Sequence, residues 1–213
     1  MEDNQIIPAI IADSQEDFTG RICRVRDYVS IIQLDFMDGK FVPSRSIDFD
    51  FSVPEYGGAY EAHLMVADPG GWIEGHGHKV DTILAPIEAS DNPGEVIDAI
   101  SGLGKKPGFV LNPETPLKSI MEYVDDIEQV LIMTVNPGFY GSPFLPEMVG
   151  KIRELRETAP GLDIEVDGGI TPDTIRQVFD AGANMFVSGS YIVKADDPGD
   201  SVKNLKLALG VLV

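Results

Sequence analysis

The stretch Val29-Ser-Ile-Ile-Gln-Leu-Asp-Phe-Met37 decides how the chain folds. Strand side chains alternate between two faces, so Gln33, Asp35 and Met37 share one face and Leu34 and Phe36 the other. Neither face is wholly polar, which suits a strand covered on both sides. Asp38-Gly39 then supplies a turn. The pattern recurs twice. Tyr60–Val66 places Glu61, His63 and Met65 together against Ala62 and Leu64. Leu162–Val166, continued by Asp167, places Asp163, Glu165 and Asp167 together against Leu162, Ile164 and Val166.

Five further apolar runs complete a set of eight: Gln5–Ala12, Thr82–Glu88, Pro107–Leu111, Gln129–Val135 and Asn184–Val187. Helical spacing predicts helices over Pro116–Asp126 and Glu147–Thr158. Another is predicted after Thr171-Pro172, with Thr171 as N-cap, Pro172 at the first helical position and Ala181-Gly182-Ala183 as its end. A last helix runs from Asp197-Pro198 to about Leu209. Gly and Pro leave Ser44–Gly58 and Pro69–Val80 without a clear helical pattern. Eight strand–helix units in 213 residues predict a (β/α)8 TIM barrel, with residues 1–213 as a single domain. The rival is an open doubly wound sheet with fewer strands. No GxGxxG fingerprint follows the first strand to favour it.

In a barrel, helices cover the outer face, so Leu34 and Phe36 face them while Gln33 and Asp35 point to the axis. Asp35, His63 and Asp167 then fall at or near the C-terminal strand ends, where barrel sites form. A buried carboxylate needs a partner, a metal or a proton. Each residue alone has a structural reading as a turn, a cap or a packed histidine, and their shared parity and position favour a site. His76 and His78 read as surface histidines in a glycine-rich segment, and Trp72 as packing between helices. Three glycine sites follow late strands: Asn136-Pro-Gly138-Phe-Tyr-Gly141, Gly168-Gly169 and Ser188-Gly189-Ser190. Backbone N–H groups there suit a phosphate, though ordinary turns would look the same. No Walker-type lysine accompanies them, which argues against a nucleoside triphosphate.

Composition narrows the function classes. With 35 acidic and 16 basic residues the net charge is −19, which repels nucleic acid. Cys23 is the single cysteine, so an intrachain disulfide is excluded and a reducing, cytoplasmic compartment is expected. The segment MEDNQIIPAII lacks the basic start of a secretion signal, and no run approaches 18 apolar residues.

The motifs Leu34-Asp-Phe-Met-Asp-Gly-Lys-Phe-Val-Pro43, Ala62-His-Leu-Met65, Leu111-Asn-Pro-Glu-Thr-Pro116, Met133-Thr-Val-Asn-Pro-Gly-Phe139 and Glu165-Val-Asp-Gly-Gly169 come in that order. In them the chain resembles the ribulose-phosphate 3-epimerase family along nearly its full length. The resemblance implies a (β/α)8 barrel that epimerises C3 of a ketose phosphate, D-ribulose 5-phosphate or a hexulose phosphate such as allulose 6-phosphate. It implies Asp35 and Asp167 as the acid–base pair. It implies a metal site at Gln33, Asp35, His63 and Asp167, for zinc, manganese or iron, with Gln33 standing where the family has histidine; Gln33 is then either an amide-oxygen ligand or, in a site without metal, an N–H donor to the enediolate oxygen. Met37, Met65 and Met133 would line the reacting carbons, and Ala9 stands at the family's early serine. Phosphate contacts would fall at Gly138, Gly141, Gly168, Gly169, Gly189 and Ser190. Pro86 replaces a further family histidine. Homo-oligomers are usual in the family. A phosphosugar-binding homologue that has lost turnover, or an enediolate-forming aldolase or decarboxylase on the same barrel, are the competing readings. For a decarboxylase Lys40 is displaced from the expected position.

Overall fold

The computed structural model describes residues 4–138 and 141–210. The strands are β1 (Gln5–Ile7), β2 (Ala9–Ile10), β3 (Ile31–Asp38), β4 (Arg45–Ser46), β5 (Ala59–Met65), β6 (Thr82–Pro86), β7 (Lys106–Leu111), β8 (Gln129–Met133), β9 (Asp163–Asp167) and β10 (Met185–Val187). The helices are α1 (Gln15–Val25), α2 (Pro69–His76), α3 (Pro93–Gly102), α4 (Met148–Thr158), α5 (Ile175–Asp180), α6 (Ser190–Val193) and α7 (Pro198–Ala208).

The sheet runs β1-β10-β9-β8-β7-β6-β5-β3-β2, parallel throughout, with only β4 antiparallel on β3. Pro8 separates β1 from β2, which are two pieces of one strand. Proline has no N–H to give a ladder, so the break falls there. β1 pairs with β10 and β2 with β3, so this divided strand closes the ring. Eight strand positions closed in this way form a (β/α)8 barrel.

Alternation places the side chains as the sequence parity requires. Leu34, Phe36, Ala62, Leu64, Ile164 and Val166 lie in the large apolar layer under the helices. Leu84, Val110, Leu131 and Met133 pack together in a separate cluster inside the barrel. Helix signals act locally. Ser14 caps α1 by accepting from the Asp17 N–H at 3.2 Å, and Phe18, Ile22 and Val25 bury one stripe of that helix. Asp197 caps α7 through the Asp200 N–H, with Pro198 next in line.

Four expectations about the connections need correction. Pro116–Asp126 is not an α-helix. A 3₁₀ turn at Leu117–Ser119 begins a series of turns, with i→i+3 bonds from Ile120 to Leu117, Tyr123 to Ile120 and Asp126 to Tyr123. Leu117 and Ile120 are buried and Tyr123 packs edge-on against Phe109, so the apolar contacts follow a spacing of three. The helix expected from Thr171 starts only at Ile175. Thr171 and Thr174 first form a hydrogen-bonded turn, with the Thr171 N–H donating to Thr174 Oγ1 at 3.0 Å. Pro69–Val80 contains α2, capped by Asp68 through the Gly71 N–H. His76 is half-buried between Phe51 and Trp72, while His78 is exposed as expected. Residues 44–58 form no helix, as Gly and Pro lead us to expect. Phe49 and Phe51 from this extended segment pack on Phe18, and Phe51 also packs on Phe36.

Candidate active site

β3, β5 and β9 end at one mouth of the barrel and bring Asp35, His63 and Asp167 together. The register aligns Asp35 with His63 across β3 and β5, and Asp167 with Met133 across β9 and β8. Hydrogen-bonding atoms of the Asp35–His63–Asp167 cluster all lie within 4.8 Å of one another. His63 Nδ1 stands 3.2 Å from Asp35 Oδ1 and 3.3 Å from Asp167 Oδ2. From one layer deeper, Gln33 Nε2 donates to Asp35 Oδ1 at 2.8 Å and to Asp167 Oδ2 at 2.9 Å. Gln33 and His63 are 0% and 1% exposed and Asp35 is 5% exposed, so these bonds form away from bulk water.

Burial pushes the Asp35 carboxyl above its usual range, and the nearby Asp167 adds to this. Hydrogen bonds with His63 and Gln33 offset only part of the effect. Burial alone would lower the His63 value, but its bonds with Asp167 and Asp35 outweigh it and lift the imidazole to about 9. The two carboxylates thus favour the protonated form of the His63 ring. Below the site Gln129 Nε2 donates to Glu165 Oε2 at 2.7 Å and approaches Glu61 Oε2 at 3.4 Å. Burial lifts Glu61 to about 7 and Glu165 well above the carboxylate range.

Above the cluster opens a pocket whose cavity volume is about 100 Å³. Ala9, Met37, Met65 and Met133 line it, together with Asp35, His63 and Asp167. Gly138, Gly141, Gly168, Gly169, Gly189 and Ser190 also line it. Phe139 and Tyr140, inside the Asn136–Gly141 motif, lie outside the described residues. Gly168 has φ +117°, and an added Cβ would sit 2.4 Å from Val135 Cγ2, so only glycine fits there.

Gln33 and Pro86 are absent from the pocket wall. Of the two readings of Gln33, the amide-oxygen ligand is the one the structure does not support: its nitrogen faces the cluster, donating to the carboxylates themselves. Two carboxylate oxygens accept there, and an amide oxygen in the same place would repel them. Asp38 acts as the turn residue expected, accepting from the N–H groups of Lys40, Phe41 and Ala67. Sequence reasoning missed Ile11, Val135, Pro137, Ser142, Ile170 and Thr171 in the wall. Ile11 and Val135 could have been found, because they continue the inward parity of Ala9 and Met133.

The donor set Asp35, His63 and Asp167 could coordinate a divalent cation, since two carboxylates and one imidazole suit first-row metals. Gln33 Nε2 lies within hydrogen-bonding distance of both carboxylates and 3.4 Å from His63 Nδ1, so a cation would have to share or displace its place.

The model of the ribulose-phosphate 3 epimerase family matches residues 5–193. The chain belongs to that family. A ribulose-phosphate 3-epimerase, cytoplasmic isoform, from Oryza sativa subsp. japonica is 38% identical over 211 residues, 95% of this chain and 92% of the relative. A ribulose-phosphate 3-epimerase from Synechocystis sp. is 39% identical over 186 residues, 82% of this chain and 80% of the relative. Among solved structures, a ligand complex of KGPDC from Streptococcus mutans superposes with a TM-score of 0.75 at 16% identity, over 98% of each chain. A 3-hexulose-6-phosphate synthase gives 0.70 at 20% identity, over 96% of this chain and 99% of the other. At those identities the likeness concerns the barrel alone. In this member of the epimerase family, two carboxylates and one imidazole meet at the barrel mouth.

Proposed function

We propose that the protein interconverts D-ribulose 5-phosphate and D-xylulose 5-phosphate by moving one proton off and onto C3. The observation that carries this reading is the Asp35–Asp167 pair, held at one barrel mouth by shared donors and roofed by the pocket. The relatives named as ribulose-phosphate 3-epimerases support the same substrate class.

A hydrogen on the carbon beside a ketone is acidic only when the enediolate that forms is stabilised. One carboxylate removes it, and the other delivers a proton to the opposite face. In either direction one of Asp35 and Asp167 begins as the acid and the other as the base. Reversing the reaction exchanges these roles. The His63 imidazolium lies beside both and offsets negative charge as the enediolate develops. Met37, Met65 and Met133 wall the reacting carbon with thioethers that neither donate nor accept protons readily, which keeps stray proton transfer out. Glycine backbone at Gly138, Gly168, Gly169 and Gly189 allows close approach of the phosphate. Manganese, iron or zinc, held by Asp35, His63 and Asp167, would supply further positive charge to the enediolate when bound.

Proton NMR in deuterated water, across pentulose and hexulose phosphates, tests the assignment. The expected result is deuterium uptake at C3 with inversion, fastest for ribulose 5-phosphate. Faster turnover of a hexulose phosphate would move the assignment to that sugar. No exchange on any ketose phosphate would leave a binding protein.

The −19 charge and lone cysteine support a cytoplasmic protein without a nucleic-acid partner. Relationship to the epimerase family suggests a homo-oligomer. Light scattering giving a mass near the 23.1 kDa of one chain would reject that state.

A further inference from the structure

Gln33 has the neighbours that a metal ion would have. Its Nε2 lies 2.8 Å from Asp35 Oδ1, 2.9 Å from Asp167 Oδ2 and 3.4 Å from His63 Nδ1. Those three residues form the cluster among the described residues that could hold a metal ion. A primary amide nitrogen has two hydrogens, and two carboxylate oxygens stand ready to receive one each. The other end of the same amide is costly: Gln33 Oε1 is buried without a hydrogen-bond partner. The orientation is thus set by the nitrogen side, where two N–H bonds to carboxylates outweigh one orphaned oxygen.

We infer that Gln33 is a positioning residue whose amide nitrogen stands in for a divalent cation, holding the two proton-transfer carboxylates together when no ion is bound. Two carboxylates this close repel one another unless something positive or N–H-bearing lies between them. Gln33 supplies that bridge from within the chain. A cation entering the cluster must take the carboxylate oxygens away from Gln33, so ion and amide compete. The base pair is preassembled without metal, and ion binding is correspondingly weak. The inference deepens the epimerase reading and rests on it for the role of Asp35 and Asp167.

The test uses no substrate. Chelator-treated wild type and Gln33→Met are titrated calorimetrically with Zn²⁺ and with Mn²⁺. Methionine keeps the length of the side chain and removes both N–H donors. The expected result is an affinity at least ~10-fold tighter in Gln33→Met, from loss of the competing bonds. Equal or weaker binding in the variant would overturn the inference, because Gln33 would then be indifferent or a ligand. Absence of binding to both proteins would overturn it as well.

Should the variant fail to fold, ¹⁵N NMR of the wild type decides the point. The Gln33 side-chain amide, assigned through its contact with the His63 ring, should shift when Zn²⁺ saturates the site. An unmoved signal at saturation overturns the inference. A protein inactive on every phosphosugar would defeat the epimerase reading and leave both measurements interpretable.

Discussion

Gly168→Ala tests how tightly the site wall is built. Gly168 has φ +117°, and an added Cβ would meet Val135 Cγ2 at 2.4 Å and Val135 Cγ1 at 2.7 Å. Holding an L residue at such a φ costs about 1–3 kcal/mol. Forcing a methyl group into the packed Val135 side chain costs about 1–3 kcal/mol more. The expected loss is therefore roughly 2–6 kcal/mol, a large share of the ~5–15 kcal/mol typical of a domain. Urea unfolding of wild type, Gly168→Ala, Val135→Ala and the double variant measures it. Val135→Ala removes both γ-methyl groups but leaves Val135 Cβ, 2.9 Å from the added atom. The double variant should therefore be more stable than the sum of the two single losses, by about 1–2 kcal/mol. The φ contribution should persist. A loss under ~1 kcal/mol for Gly168→Ala, or strict additivity in the cycle, would refute the steric account.

Two further outcomes follow from charge. Asp38 accepts from the N–H groups of Lys40, Phe41 and Ala67 at 2.8, 2.9 and 2.8 Å. Burial is the largest single influence and acts upward, but these bonds together hold the carboxyl below its usual 3.8. A depressed folded value stabilises the fold above the unfolded value, and that stability is lost as pH falls through the folded one. Asp38→Asn should thus be less stable than wild type at pH 7, with the gap closing in urea titrations below about pH 3.8; a gap that widens in acid would be the wrong sign. A dianionic sugar phosphate approaching a chain of charge −19 is repelled at long range. The Michaelis constant for such a substrate should fall as salt rises from near zero, and a rise would count against long-range repulsion.

The barrel was legible because its strands carry the signal twice, as apolar runs and as parity. Leu34 and Phe36 against Gln33 and Asp35 give the inside and outside of one strand, and β5 and β9 repeat the same division. Connections were less legible. Leu117, Ile120, Met121 and Val124 fit an α-helix by spacing, yet the chain buries Leu117 and Ile120 through three-residue turns. A short crossover gains its stability from packing, and packing overrode the local pattern. Thr171-Pro172 carries a sound cap signal, and the Thr171 carbonyl accepts from Thr174 and Ile175, but the regular helix begins only at Ile175. At the site, parity selected Asp35, His63 and Asp167. It could not indicate which end of the Gln33 amide faces them, because that depends on three side chains meeting across separate strands.

The two-base scheme is tested most directly by solvent-deuterium exchange at C3 of ribulose 5-phosphate, measured for wild type, Asp35→Asn and Asp167→Asn, each checked for folding by circular dichroism. Epimerisation should be lost in both variants, because each lacks the proton donor or acceptor on one face of the sugar. Near-wild-type epimerisation by either folded variant would contradict the scheme.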